Sequence, residues 1–131
     1  PWVHWQGEHK KFGILEPAKV WRRGAQGIYE PPREILSSIP GMELSEMERV
    51  RENAWCCGAG GGVRAAFKDF ALWAARERLE EARCTGAEAI VSCCPHCKEN
   101  LAEAAQIEGG DLKVYDITEI IAQALGLGEG G

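Results

Sequence analysis

Six cysteines lie in the 131-residue chain, and none precedes Cys56. Four of them fall in two tight groups, Cys56-Cys57 and Cys94-Pro95-His96-Cys97, with thirty-six residues between Cys57 and Cys94. Small secreted domains spread their cysteines to staple loops, whereas clustered cysteines point to metal binding or redox chemistry. A disulfide between neighbours such as Cys56 and Cys57 would be strained. Four thiolates suit a [4Fe–4S] cluster, and they also satisfy tetrahedral zinc. Cys56, Cys57, Cys94 and Cys97 are therefore the candidate ligands.

The residues around them carry further signals. Gly58, Gly60, Gly61 and Gly62 follow the first pair. Such a run permits positive φ and a close backbone approach, and its bare amides can donate to sulfur. Gly58, Gly60 and Gly61 are accordingly expected beside the bound group. A dinucleotide loop is the rival reading of Gly58-x-Gly60, but Val63 stands at the third glycine position and two cysteines occupy the strand end. Cys94-Pro95-His96-Cys97 also has the form of a thiol–disulfide exchange pair. Against that, no proline follows Pro95. His96, held between two cysteines on a tight turn, is expected to point outward. Cys93 should face away from Cys94, because side chains alternate along a strand. Cys84, late in a long helix, is expected to be a small buried residue. His4 and His9 read as surface residues, and Trp21, Trp55 and Trp73 as packing residues.

The elements that must position these residues are legible in part. A short strand is expected over 1–5, and a helix opened by Pro32 to about Ser38, stopped by Pro40-Gly41. Residues 42–47 alternate as a strand does. The longest helix is expected from Val63 to Arg83, burying Val63, Phe67, Phe70, Ala71, Ala74 and Leu79 and capped by Gly86. Ala89 to Val91 reads as a buried strand, Pro95 to about Gly109 as a helix, Leu112 to Tyr115 as a strand, and Ile117 to Leu125 as a last helix. Strands and helices in alternation with short links define an α/β fold, a small, mainly parallel sheet flanked by helices. Its cysteine-rich loops are expected at the carboxyl ends of the strands, where such folds place their sites. There, helix N-termini would lower thiol pKa values.

Charge and hydropathy exclude other classes. The net charge is −5 and the basic residues are scattered, which argues against nucleic acid. The longest apolar run, Phe70 to Ala75, is too short for a membrane span. No signal peptide is visible in Pro1 to Val20. A cytoplasmic chain is expected, reaching a membrane only through partner subunits.

Cys56-Cys57-Gly58 and Cys94-Pro95-x-Cys97 at this spacing resemble the cysteine-rich "CCG" domain of the heterodisulfide reductase catalytic subunit and of glycolate oxidase-type iron–sulfur subunits. Gly27-Ile28-Tyr29-Glu30-Pro31-Pro32, Ile39-Pro40-Gly41, Glu46-Met47 and Val114-Tyr115-Asp116-Ile117 extend the likeness over about Gly27 to Leu125. The resemblance implies an iron–sulfur redox domain acting in electron transfer or disulfide reduction, the C-terminal part of a larger subunit, with ferredoxin-like, flavoprotein or cytochrome partners. It also implies zinc as the alternative occupant. The family's full motif adds a lone cysteine upstream, used by an unusual substrate-cleaving cluster. Val20 stands at that place here. The organisation expected is therefore a divergent segment 1–26, a cysteine-rich domain 27–125 and a flexible tail 126–131.

Overall fold

The computed structural model describes residues 27–127. The expected strand over 1–5, the divergent segment 1–26 and the end of the tail lie outside the described residues. Helix α1 spans Glu30–Ser37, α2 Val63–Ala66, α3 Lys68–Cys84, α4 Pro95–Glu108 and α5 Ile117–Ala124. Strands β1, Ala89–Ser92, and β2, Lys113–Asp116, form a parallel pair in which Ile90 lies opposite Val114. This is the α/β arrangement expected, with a two-stranded sheet among the described residues.

The core forms where α3 and α4 pack together over β1. Leu72, Ala75, Leu79 and Ala82 recur along one stripe of α3. They meet Leu101, Ala104 and Ala105 of α4, with Ile90 and Leu112 beneath. Ala71, Ala75 and Ala104 are fully buried. Small side chains at those positions let the two helix backbones approach closely, and Cys57 is buried in the same cluster. Pro95 opens α4 at a position that needs no N–H, and Gly109 closes it at φ 67°.

Two expectations are corrected. The long helix breaks at Phe67 (φ −140°, ψ 68°) and restarts at Lys68. Phe67 and Phe70 are therefore exposed, not buried, although Ala71, Ala74 and Leu79 are buried as expected. Six consecutive apolar residues from Phe70 to Ala75 fit several helix faces equally well; the alanines took the interface, and Phe70 stacks on Trp73 outside it. Residues 42–47 form no strand either. Glu46 is drawn into an ion pair with Arg33 of α1, and Met47 packs against the core, so side chains anchor this segment without a ladder.

The link from β2 to α5 is held by a capping box. The Asp116 side chain accepts from Thr118 N (2.9 Å), and Glu119 accepts from Asp116 N (2.9 Å). The Thr118 hydroxyl and N–H hold the Asp116 carboxyl below its ordinary value. A lowered folded-state pKa means that this stabilisation is present above the usual aspartate range and is lost as pH falls through the lowered value. Asp116→Ala should lower the thermal midpoint by a few degrees at neutral pH. Below that lowered value the two proteins should melt together; an equal gap at all pH values would show that the cap contributes nothing through its charge.

Candidate metal centre

The second cysteine group leaves β1 and enters α4. Ser92 Oγ accepts from Cys94 N (3.1 Å) and donates to Cys94 O (3.2 Å), fixing the turn. Cys94 is the N-cap of α4, with extended backbone (φ −137°, ψ 120°). Free amides of the first helical turn therefore face its sulfur. The Cys97 N–H first, then the Cys97 thiol and the His96 N–H, hold the Cys94 thiol below its ordinary value. Cys97 lies one turn on, and its thiol is pushed well up, first by burial and then by Cys57 and Cys94.

The first group arrives differently. It follows a 3₁₀ turn at Arg51–Asn53, not a strand end, because 42–47 is irregular. Trp55 pins it: its indole N–H donates to Ala74 O (3.1 Å), its ring meets Trp73 edge-on, and Arg49 lies 4.3 Å above it. Cys57 is then buried, with its sulfur donating to Cys97 Sγ at 2.9 Å. Gly58 adopts φ +86°, and a Cβ there would sit 2.6 Å from Ala71 O and 2.7 Å from Ala74 Cβ. Only glycine lets the loop lie this close to α3. Gly58 N meets Cys56 Sγ at 3.4 Å, while Cys56 itself is exposed.

Three of the four expected ligands thus come together: Cys57, Cys97 and Cys94 form one chain of sulfurs. Cys56 adjoins it through the backbone of Cys57. Among the described residues no three His, Cys, Asp or Glu side chains adopt the geometry of a metal cage; S–H···S hydrogen bonds join the sulfurs instead. The donor set fits a thiolate-bound metal group. The ligand atoms are all soft sulfur, helix amides favour the ionised form of Cys94, and metal binding would displace thiol protons.

The other cysteines lie apart. Cys93 does face away from Cys94, into a groove of about 690 Å³ shared with Arg33 and Tyr115. Burial, and then Asp116, push its thiol up, opposed by Arg33. Cys84 is exposed, which corrects the expectation that it is buried: it is the last residue of α3, turned toward the acidic Glu77–Glu81 surface. His96 is exposed, as expected. Val20, His4, His9 and Trp21 lie outside the described residues.

Gly60 and Gly61 belong to a 3₁₀ turn leading into α2. A Cβ at either would meet nothing within 4 Å, so the steric need for glycine rests on Gly58. One residue of the site escaped the sequence reading. Asn100 is fully buried on α4, one turn beyond Cys97. Its signal was a polar residue within the stripe Cys97, Leu101, Ala104, Ala105, which is otherwise apolar.

A parallel βαβ unit with a Cys-Cys-Gly loop set against a Cys-Pro-x-Cys helix start defines the cysteine-rich domain class. The chain belongs to that family: the model of the CCG cysteine-rich domain matches residues 20–102. Among curated relatives, a subunit of the dihydromethanophenazine:CoB–CoM heterodisulfide reductase of Methanosarcina acetivorans is 48% identical over 101 residues, covering 77% of this chain and 25% of the relative. The Bacillus subtilis protein named "probable iron-sulfur-binding oxidoreductase FadF" is 39% identical over 100 residues, covering 75% and 14%. A subunit of the fumarate reductase (CoM/CoB) of Methanothermobacter marburgensis is 37% identical over 100 residues, covering 76% and 20%. The chain thus spans a quarter or less of the length of these relatives. No solved structure matches it. No helix among the described residues is long and apolar enough to cross a membrane.

Proposed function

We propose that residues 27–125 form an iron–sulfur redox domain whose cluster, of the [4Fe–4S] type, is held by Cys56, Cys57, Cys94 and Cys97. The observation that carries this reading is the convergence of Cys57, Cys94 and Cys97 at the start of α4, in a family whose relatives are named iron–sulfur proteins and oxidoreductase subunits. Such a cluster supplies one-electron transfer, at a potential set by burial and by hydrogen bonds to its sulfurs.

The residues of the chain prepare the site. Amides of Cys97 and His96 stabilise a thiolate at Cys94. Burial pushes the Cys97 thiol up, so ligation there as a thiolate releases a proton. Metal affinity should therefore fall as pH is lowered. Cys57 and its carbonyl lie within the core, which keeps water from one side of the site, whereas Cys56 faces outward, where an electron partner can approach. The proposed role is electron transfer within a larger oxidoreductase, with ferredoxin-like, flavoprotein or cytochrome partners. Cleavage of a disulfide substrate would need the upstream cysteine, and Val20 stands in its place.

Purification under strictly anaerobic conditions tests the reading. The expected protein is brown, with the broad visible absorbance of a thiolate-bound cluster that bleaches on reduction. Colourless protein holding one tightly bound zinc ion would establish a closed structural site instead.

A further inference from the structure

We propose that Asn100 is a positioning residue of the thiol site, clamping the Cys57 carbonyl to α4 and so setting the separation of the Cys57 and Cys97 sulfurs. Its side-chain amide donates to Cys57 O at 2.7 Å and to Ala71 O at 2.9 Å. Both partners are carbonyl oxygens, so only the NH₂ group can serve them, and the orientation of the amide is fixed. Three elements are thereby joined at one fully buried atom: the loop carrying Cys57, the first turn of α3, and α4, which carries Cys97.

Cys97 and Asn100 are three residues apart on one helix, hence on one face. The same short stretch of α4 therefore holds Cys57 twice, by its sulfur at 2.9 Å and by its carbonyl. Gly58 completes the arrangement, since its lack of a side chain admits the loop to Ala71 O, the second acceptor of Asn100. Packing alone does not account for this residue. Asn100 Oδ1 is buried without a hydrogen-bond partner among the described residues, a cost that leucine would avoid in similar volume. That cost is tolerable where the NH₂ group has a task that leucine cannot perform.

The proposal deepens the iron–sulfur reading, but its first readout requires no iron. In the reduced, metal-free 131-residue chain with Cys56, Cys84, Cys93 and Cys94 changed to serine, phenylarsine oxide would bridge Cys57 and Cys97, a capture that depends on sulfur spacing. Asn100→Leu should weaken capture by roughly 10- to 100-fold, the usual cost of losing an outer partner of a metal site. Asn100→Ser, which cannot overpack, should weaken it similarly. Leu101→Ala, a neighbouring core truncation at a residue 3% exposed, should lower stability at least as much and leave capture near the parent value. Unchanged capture in the Asn100 variants would overturn the proposal. So would equal loss in Leu101→Ala, or failure of both Asn100 variants to fold while Leu101→Ala folds, since Asn100 would then be purely structural. Iron and sulfide loading of the otherwise wild-type chain is measured separately. Should the wild type load neither while Asn100→Leu still loses capture, the iron–sulfur reading falls and the positioning role stands.

Discussion

Cys97→Ser should leave the chain unable to hold its metal group, a loss larger than the roughly 10- to 100-fold that removal of an outer-shell partner costs. Cys97 is the sulfur through which the other two meet. It accepts from Cys57 Sγ at 2.9 Å, and its N–H and thiol both face Cys94. A serine hydroxyl is shorter, harder and far more reluctant to ionise, so it replaces neither the bond nor the proton release. Cys57→Ser and Cys94→Ser should be nearly as severe, and Cys56→Ser should also lose the group, by removing the outward-facing ligand. Cys84→Ser and Cys93→Ser are the controls. Cys84 is exposed at the end of α3, and Cys93 opens into the groove with Arg33. Both should keep full metal content, and Cys84→Ser should change stability by no more than about 0.5 kcal/mol. Metal analysis of the six single variants checks the assignment. Retention in Cys97→Ser together with loss in Cys84→Ser would reverse it.

Gly58→Ala should be the most destabilising single-methyl change in the cysteine loop. The added Cβ would sit 2.6 Å from the Ala71 carbonyl and 2.7 Å from Ala74 Cβ, at φ +86°. Left-handed backbone costs a residue with a Cβ roughly 1–2 kcal/mol, and overpacking adds about 1–3 kcal/mol. Together these are a large part of the roughly 5–15 kcal/mol that holds a typical domain folded. Relieving that clash would move the loop, and Cys57 with it, away from α3 and Cys97, so metal loading should fall with stability. Gly60→Ala meets nothing within 4 Å and should cost less than about 1 kcal/mol. Urea midpoints for the pair measure the difference. Equal midpoints would mean that the loop does not rest on α3 as described.

This ranking of glycines was not legible in the sequence. Gly58, Gly60, Gly61 and Gly62 look alike as letters, and only the approach of α3 singles one out. That the two cysteine groups would meet was legible, and Cys57, Cys94 and Cys97 do converge, because tight groups of thiols suit little besides metal or redox chemistry; Pro95 after a short apolar run marked the start of α4. The α3 stripe was half legible. An unbroken run from Phe70 to Ala75 carries no phase, so the break at Phe67 and the exposure of Phe70 could not be inferred. Residues 42–47 alternate as a strand would, but the alternation is answered by an Arg33–Glu46 pair and by Met47 packing, neither local in sequence. Asn100 was hidden by the same non-locality. Its two acceptors lie forty-three and twenty-nine residues away.

The central claim is that four thiolates of this chain hold an iron–sulfur cluster, and the most direct measurement is the iron and acid-labile sulfide bound per chain after anaerobic reconstitution with both. The account predicts about four of each, as a [4Fe–4S] centre requires, with reduction giving a paramagnetic signal that vanishes in Cys97→Ser. A chain that takes up a single zinc ion or iron atom and no sulfide would contradict it.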